Sequence, residues 1–188
     1  MDDKNRLFSF MKWFTYFYAK FFMKQHLKIT EKIFRDRQRL EPLLRKWKQE
    51  KKSIVFTNGC FDLLHRGHAE YLAKSAEKGD KLVIGLNSDR SVSLLKGSQR
   101  PLVDEFSRAY LLAAFSFVSA VVMFDEETPE KLIQSVSPDF LIKGNDYSPD
   151  EIVGYDWVTS HGGRVETIPL IPGLSTTSLV MKIKNLPE

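Results

Sequence analysis

His65-Arg66-Gly67-His68 sets two imidazoles three residues apart, directly behind the run Ile54-Val55-Phe56-Thr57-Asn58-Gly59-Cys60-Phe61-Asp62-Leu63-Leu64. That run reads as a buried strand followed by a glycine turn, which places the histidines at the mouth of a helix. Side chains three apart on a helix's first turn point the same way. The N–H groups of such a turn attract anions. The combination suits the handling of a polyphosphate.

Zinc is the competing chemistry for paired histidines. It needs three or four ligands, and Cys60, the chain's single cysteine, would have to join them. No second cysteine pair and no metalloprotease-like carboxylate pattern accompanies the histidines, so a protein-held metal is not expected. Gly-x-Gly-x-x-Gly and Gly-Lys-Ser/Thr fingerprints are missing too, which argues against a dinucleotide oxidoreductase and a P-loop ATPase. Two further segments have phosphate-binding character. Lys96-Gly97-Ser98-Gln99-Arg100-Pro101 is a small basic loop, suited to drawing charge from a polyphosphate, although alone it would read as a solvated loop. Gly173-Leu174-Ser175-Thr176-Thr177-Ser178 opens the last helix; its hydroxyls can cap that helix and hold phosphate oxygens at once. Arg108, beside the apolar run 109–114, either faces solvent or reaches toward the site.

The elements that must carry these residues alternate. Short β-rich runs stand at 53–58, 81–87, 120–124, 139–143 and 164–168. Helical stretches are expected at 67–78, 89–95, 104–116, 128–136, 155–161 and 175–184. A further helix is expected over 30–50, capped by Thr30, with Ile33 and Phe34 in its apolar stripe and a break at Pro42. Alternation of this kind implies an α/β fold, a five-stranded parallel sheet with helices on both faces. Ligands bind such sheets beyond the carboxyl ends of the strands. Thr57 to His68, Asn87-Ser88-Asp89, Lys143-Gly144-Asn145-Asp146 and the Gly173 turn all fall there.

Composition sets the outer bounds. With 188 residues, 43% hydrophobic and 28% charged, the chain has the make-up of a globular domain with its own core. One cysteine excludes an internal disulfide and fits a reducing, cytoplasmic compartment. The net charge of +4 is uneven: residues 1–52 carry 15 basic and 6 acidic side chains, and residues 53–188 carry 13 and 18. The basic character belongs to the N-terminal segment rather than to the body, so nucleic-acid binding is not expected. Residues 7–23 hold six of the fourteen Phe, with Trp13, Tyr16 and Tyr18, interrupted by Lys12 and Lys20. They make a poor membrane span and a poor signal peptide. Peripheral membrane contact by residues 7–23, packing on the body or a partner subunit, and a true start at Met23 stay open. We therefore divide the chain into an aromatic, basic extension, residues 1–29, and a catalytic domain, residues 30–188.

Taken together, the segment from Thr57 to His68 resembles the signature of the HxGH nucleotidyltransferases of the cytidylyltransferase-like superfamily. Asn87-Ser88-Asp89, Leu95-Lys96-Gly97, Arg100-Pro101, Lys143-Gly144-Asn145-Asp146-Tyr147 and Gly173-Leu174-Ser175-Thr176-Thr177 resemble one branch most. That branch is the adenylyltransferase domain of the D-glycero-β-D-manno-heptose 1-phosphate pathway, which makes ADP-heptose for lipopolysaccharide core synthesis. The resemblance spans about residues 30–184. It implies a Rossmann-like nucleotidyltransferase fold and transfer of AMP from ATP to a sugar 1-phosphate, with pyrophosphate released. It implies that His65, His68 and Lys96 are catalytic. The backbone of Thr57, Asn58, Gly59, Cys60 and Phe61, together with Arg100, Lys143, Gly144, Asp146, Gly173, Ser175, Thr176 and Thr177, would bind the nucleotide. Asp62, Asn87 and Arg108 would be weaker, substrate-side contributors. Mg²⁺ would arrive with ATP rather than in a protein cage, and a homo-oligomer is expected.

Two departures from the resemblance matter. About 50 residues precede the first expected strand, too few for the sugar kinase that many bifunctional members carry, so a heptose kinase would be a separate protein. Glycerol-3-phosphate cytidylyltransferases share the first motif but typically carry an Arg-Thr pair before the final glycine and hydroxyl motif. Here that place reads Leu170-Ile171-Pro172-Gly173. This favours the heptose branch over a CTP-dependent enzyme acting on an alcohol phosphate. A non-catalytic nucleotide-binding module is the remaining alternative.

Overall fold

The computed structural model describes residues 25–145 and 148–186. Six parallel strands form one sheet: β1 (Ile33–Phe34), β2 (Ile54–Gly59), β3 (Lys81–Asn87), β4 (Val118–Phe124), β5 (Phe140–Gly144) and β6 (Arg164–Ile168). Their spatial order is β1-β4-β3-β2-β5-β6. After a helical stretch over residues 25–30, the helices are α1 (Arg37–Gln49), α2 (Arg66–Ala76), α3 (Asp89–Lys96), α4 (Glu105–Ala114), α5 (Glu130–Val136), α6 (Tyr155–Ser160) and α7 (Thr176–Lys184), with a 3₁₀ turn at Pro149–Glu151. From β2 the chain builds outward through β3 to β4. It then returns and adds β5 and β6 on the other side. The order therefore reverses between β2 and β5, and the crevice beyond their carboxyl ends is where such a sheet binds ligands.

Strand side chains alternate between two cores. Ile54, Phe56, Val83, Ala120, Val122 and Leu141 pack under Leu40, Leu44 and Trp47 of α1 and Leu132, Ile133 and Val136 of α5. Val55, Leu82, Ile84, Val121 and Ile142 pack on the opposite face under Tyr71 and Leu72 of α2 and Ala109, Leu112 and Ala113 of α4. A sheet covered on both faces needs apolar residues in succession, which explains the near-continuous runs in β2, β3 and β4.

The N-terminal edge corrects the sequence expectation. Ile33 and Phe34 are not in a helical stripe. They form a sixth, two-residue strand paired with Val121 and Val122 of β4, and the Val121 N–H donates to the Lys32 carbonyl at 2.8 Å. The helix begins only at Arg37, because the Asp36 carboxylate accepts from the Arg39 N–H at 2.9 Å and ends the extended stretch. Thr30 caps nothing at a helix start. Residues 25–30 are helical, and its hydroxyl donates back to the Leu27 carbonyl at 3.0 Å. Pro42 lies inside α1 without breaking it; its missing N–H costs the helix one bond. His26 hydrogen-bonds the Tyr110 hydroxyl at 2.9 Å and Ile29 packs on the second core. The last residues of the expected extension therefore touch the body.

Candidate active site

Strand β2 delivers the first loop. Its Thr57 is fully buried, with its hydroxyl 2.7 Å from the Tyr71 hydroxyl, which in turn donates to the Ile142 carbonyl at 3.1 Å. This relay ties β2 to α2 and β5 and commits the Thr57 side chain. After Gly59 the chain turns through Phe61 at φ +47°, a conformation that strains a non-glycine residue. Burial of the Phe61 side chain offsets the strain, and the turn sets its ring edge-on to His68, with centroids 5.4 Å apart.

His65 stands at the N-cap of α2 and His68 one turn on, with the rings stacked at 4.0 Å. Gly67 is required between them. A Cβ there would lie 2.9 Å from the His65 ring and 3.4 Å from Leu174 Cβ. The close approach also shows that the first loop and the Gly173 turn meet. The Nδ1 atoms of both histidines, and Asn58 Oδ1, are buried without a hydrogen-bond partner among the described residues. Buried polar atoms left unpaired cost stability, so three together at the sheet's carboxyl edge mark a place prepared for something polar. Burial, the neighbouring His65 and the Lys96 ammonium push His68 down to about 4. Burial also lowers His65. Both rings are therefore neutral near pH 7, each carrying one N–H to donate.

Lys96 ends α3, is exposed, and lies close enough to His68 and Cys60 to act electrostatically on both. Lys143 at the end of β5 donates to the Asn58 carbonyl at 3.5 Å. Gly144 follows it, the Asn145 N–H bonds the Ile168 carbonyl, and Asp146 lies outside the described residues. In the last turn Gly173 adopts φ +77°. Ser175 caps α7, accepting from the Ser178 N–H at 3.0 Å, and Thr176 and Thr177 open the helix. The histidines, Lys96 and the hydroxyl turn therefore gather around the crevice, as their sequence positions suggested.

Three expected substrate contacts are engaged by other parts of the protein. Asp62 is 3% exposed and accepts from Arg100 Nη1 at 2.6 Å and from the Leu102 and Val103 N–H groups at 2.7 and 3.1 Å. Burial would raise its carboxyl, but these donors outweigh it and hold the group below the ordinary carboxylate range. Arg108 is fully buried, donating to the carbonyls of Val103 and Cys60 and to Asp89 Oδ1. Asn87 is buried and gives its amide to Ser91 Oγ at 2.9 Å. Asp62 and Arg108 fasten one segment to another, and Asn87 ties the end of β3 to the start of α3. Arg100, expected at the nucleotide, is engaged by Asp62. Sequence reasoning missed the roles of Tyr71 and Asp89; Tyr71, three residues after His68 on the inner face of α2, carried the only signal.

A separate cleft of about 660 Å³ opens beyond β3 and β4, lined by Arg35, Arg37, Ser88, Arg90, Phe106 and Asp125 among others. Its charges are largely paired: Arg37 with Glu126 at 3.2 Å, and Arg90 and the Ser88 hydroxyl with Asp125. Among the described residues no three His, Cys, Asp or Glu side chains converge as a metal-holding group, and no helix is long and apolar enough to cross a membrane.

The model of the cytidylyltransferase-like family matches residues 56–181. The chain belongs to the cytidylyltransferase-like family. Membership makes it a nucleotidyltransferase, an enzyme acting on a nucleoside triphosphate. Over 161 residues it is 50% identical to the bifunctional protein HldE of Syntrophotalea carbinolica, covering 86% of this chain and 33% of that protein. Over 132 residues it is 56% identical to the bifunctional protein HldE of Geobacter metallireducens, covering 70% and 27%. The chain spans about a third of the length of these curated relatives. Among solved structures it is similar to the lipopolysaccharide core biosynthesis protein from Thermoplasma volcanium, at 30% identity and a TM-score of 0.53, covering 64% of this chain and 97% of that one. A pantoate–β-alanine ligase from Francisella tularensis, 12% identical with a TM-score of 0.57, shares the fold alone.

Proposed function

We propose that this nucleotidyltransferase moves AMP from ATP to D-glycero-β-D-manno-heptose 1-phosphate, releasing pyrophosphate and giving ADP-heptose for lipopolysaccharide core synthesis. The observation that carries the reading is the stacked, neutral His65–His68 pair with unpaired buried nitrogens, set between Lys96 and the Ser175 turn in a chain with the heptose-branch motifs. A phosphate oxygen of the acceptor attacks the α-phosphorus of ATP. The new P–O bond forms as the bond to the β-phosphate bridging oxygen breaks, and the electron pair leaves with pyrophosphate. No side-chain nucleophile is needed. His65 and His68 donate N–H bonds to the phosphate oxygens that gain charge, and Lys96 neutralises the departing pyrophosphate. Ser175, Thr176, Thr177 and the open N–H groups of α7 hold the distal phosphates. The backbone from Thr57 to Phe61 lines the nucleotide, with Lys143 and Gly144 near the base. Mg²⁺ would be held by the triphosphate rather than by a protein cage and would supply charge screening there.

In this reading residues 30–188 are the catalytic unit, a homo-oligomer of it works in the cytoplasm, and a heptose kinase supplies the acceptor. A pyrophosphate-release screen of nucleoside triphosphates against sugar and alcohol phosphates tests it. Turnover confined to ATP with heptose 1-phosphate is the expected outcome. Turnover with CTP and glycerol 3-phosphate instead would transfer the chain to the cytidylyltransferase branch. Nucleotide binding without turnover of any pair would leave a non-catalytic module.

A further inference from the structure

We propose that Asp62 and Arg100 form a strut that positions Lys96, and that Arg100 acts through that strut rather than as a ligand of the triphosphate. The inference rests on the phosphate role of Lys96 given above. Asp62 holds residues 100–103 through three bonds, to Arg100 Nη1, Leu102 N and Val103 N. Its side chain is 1% exposed and that of Arg100 is 18% exposed. Arg108, itself fully buried, bridges the same two segments from the other side by donating to the carbonyls of Cys60 and Val103. Residues 100–103 are thereby pinned to the loop after β2, at Cys60 and Asp62.

The pin reaches Lys96 through a short closed turn. Ser93 Oγ donates to the Arg100 carbonyl, the Arg100 N–H bonds the Gly97 carbonyl at 3.0 Å, and the Gly97 N–H bonds the Ser93 carbonyl at 2.9 Å. Gly97, at φ +91°, ends α3 immediately after Lys96. Moving Arg100 therefore moves the end of α3 and its ammonium. Arg100 meets Asp62 through Nη1 at 2.6 Å, which anchors the guanidinium beside a buried carboxylate, and swinging it fully away toward a phosphate would break that pair. Leaving Asp62 buried without its cation is costly.

A double-mutant cycle decides between strut and ligand. Asp62→Asn, Arg100→Gln and the double variant are compared for kcat, for KM of ATP, and for Kd of a fluorescent ATP analogue without acceptor. The strut predicts that each single change lowers kcat by about tenfold or more and that the double variant is no worse than the poorer single. It also predicts that Arg100→Lys, which keeps a cation beside Asp62, recovers most of kcat. Additive losses, with Arg100→Gln weakening the analogue's Kd whatever stands at 62, would overturn it. A second arm does not depend on an Asp62 variant that folds: Arg100→Gln is placed in a Lys96→Ala background. There the strut predicts less than about twofold further loss, and a full further loss counts against it. Since the analogue's Kd needs no acceptor, failure of the heptose reading and failure of the strut give different results.

Discussion

Two openings at the carboxyl edge of the sheet make opposite use of polar groups. At the end of β2, Asn58 Oδ1 and the Nδ1 atoms of His65 and His68 are buried and have no hydrogen-bond partner among the described residues. Beyond β3 and β4 the cleft is roomy, about 660 Å³, but Arg37, Arg90, Ser88, Asp125 and Glu126 already satisfy one another. Paired surface ions add little stability and have little left to offer a ligand. Unpaired buried atoms cost the fold something and are tolerated where a ligand completes them. Unsatisfied chemistry, rather than cavity size, is therefore the ground on which the histidine loop is proposed as the site.

His68→Ala should break the comparison most sharply. Loss of one donor to a phosphate predicts a fall in kcat/KM of about 10²–10³-fold, read by pyrophosphate release, with circular dichroism unchanged. Gly67→Ala comes next. The new methyl would meet the His65 ring at 2.9 Å and turn it out of line, lowering kcat/KM about tenfold while the melting temperature shifts little, since a ring and not backbone must give way.

The histidine loop should also govern the acid limit of the fold. His68 is held at about 4 against 6.5 in the unfolded chain. Between those values the unfolded state binds a proton that the folded state refuses, so stability falls as pH drops from about 6.5 toward about 4. His65 shifts in the same direction. Melting curves across that range should show the slope in the wild type and a weaker one in His68→Gln. Pyrophosphate, by favouring the charged ring, should flatten it. The smallest effect belongs to the other opening: Arg90→Ala should change kcat/KM by less than about twofold and leave the melting temperature nearly unchanged. A large loss of turnover there would mean that the cleft, not the histidine loop, dominates.

What could be read from the sequence follows from how local each signal is. Strands β2 to β6 lie within two residues of where their apolar runs placed them, because burial on both faces leaves a continuous pattern. Strand β1 was not legible: two residues carry no period, and Ile33 and Phe34 suit a helical stripe until pairing with β4 is known. The histidine pair and the Ser175 turn announced themselves by spacing after strand ends. Asp62, Asn87 and Arg108 were located but not understood. A charged residue at the edge of a sheet looks the same in sequence whether it faces a ligand or, like Arg108, holds three loops from full burial.

The most direct test of the account is pyrophosphate release from ATP, with and without D-glycero-β-D-manno-heptose 1-phosphate, run in parallel on the wild type and His68→Ala. The account predicts acceptor-dependent release from the wild type and release at least about a hundredfold slower from the variant. Equal rates from the two proteins, or release indifferent to the acceptor, would contradict it.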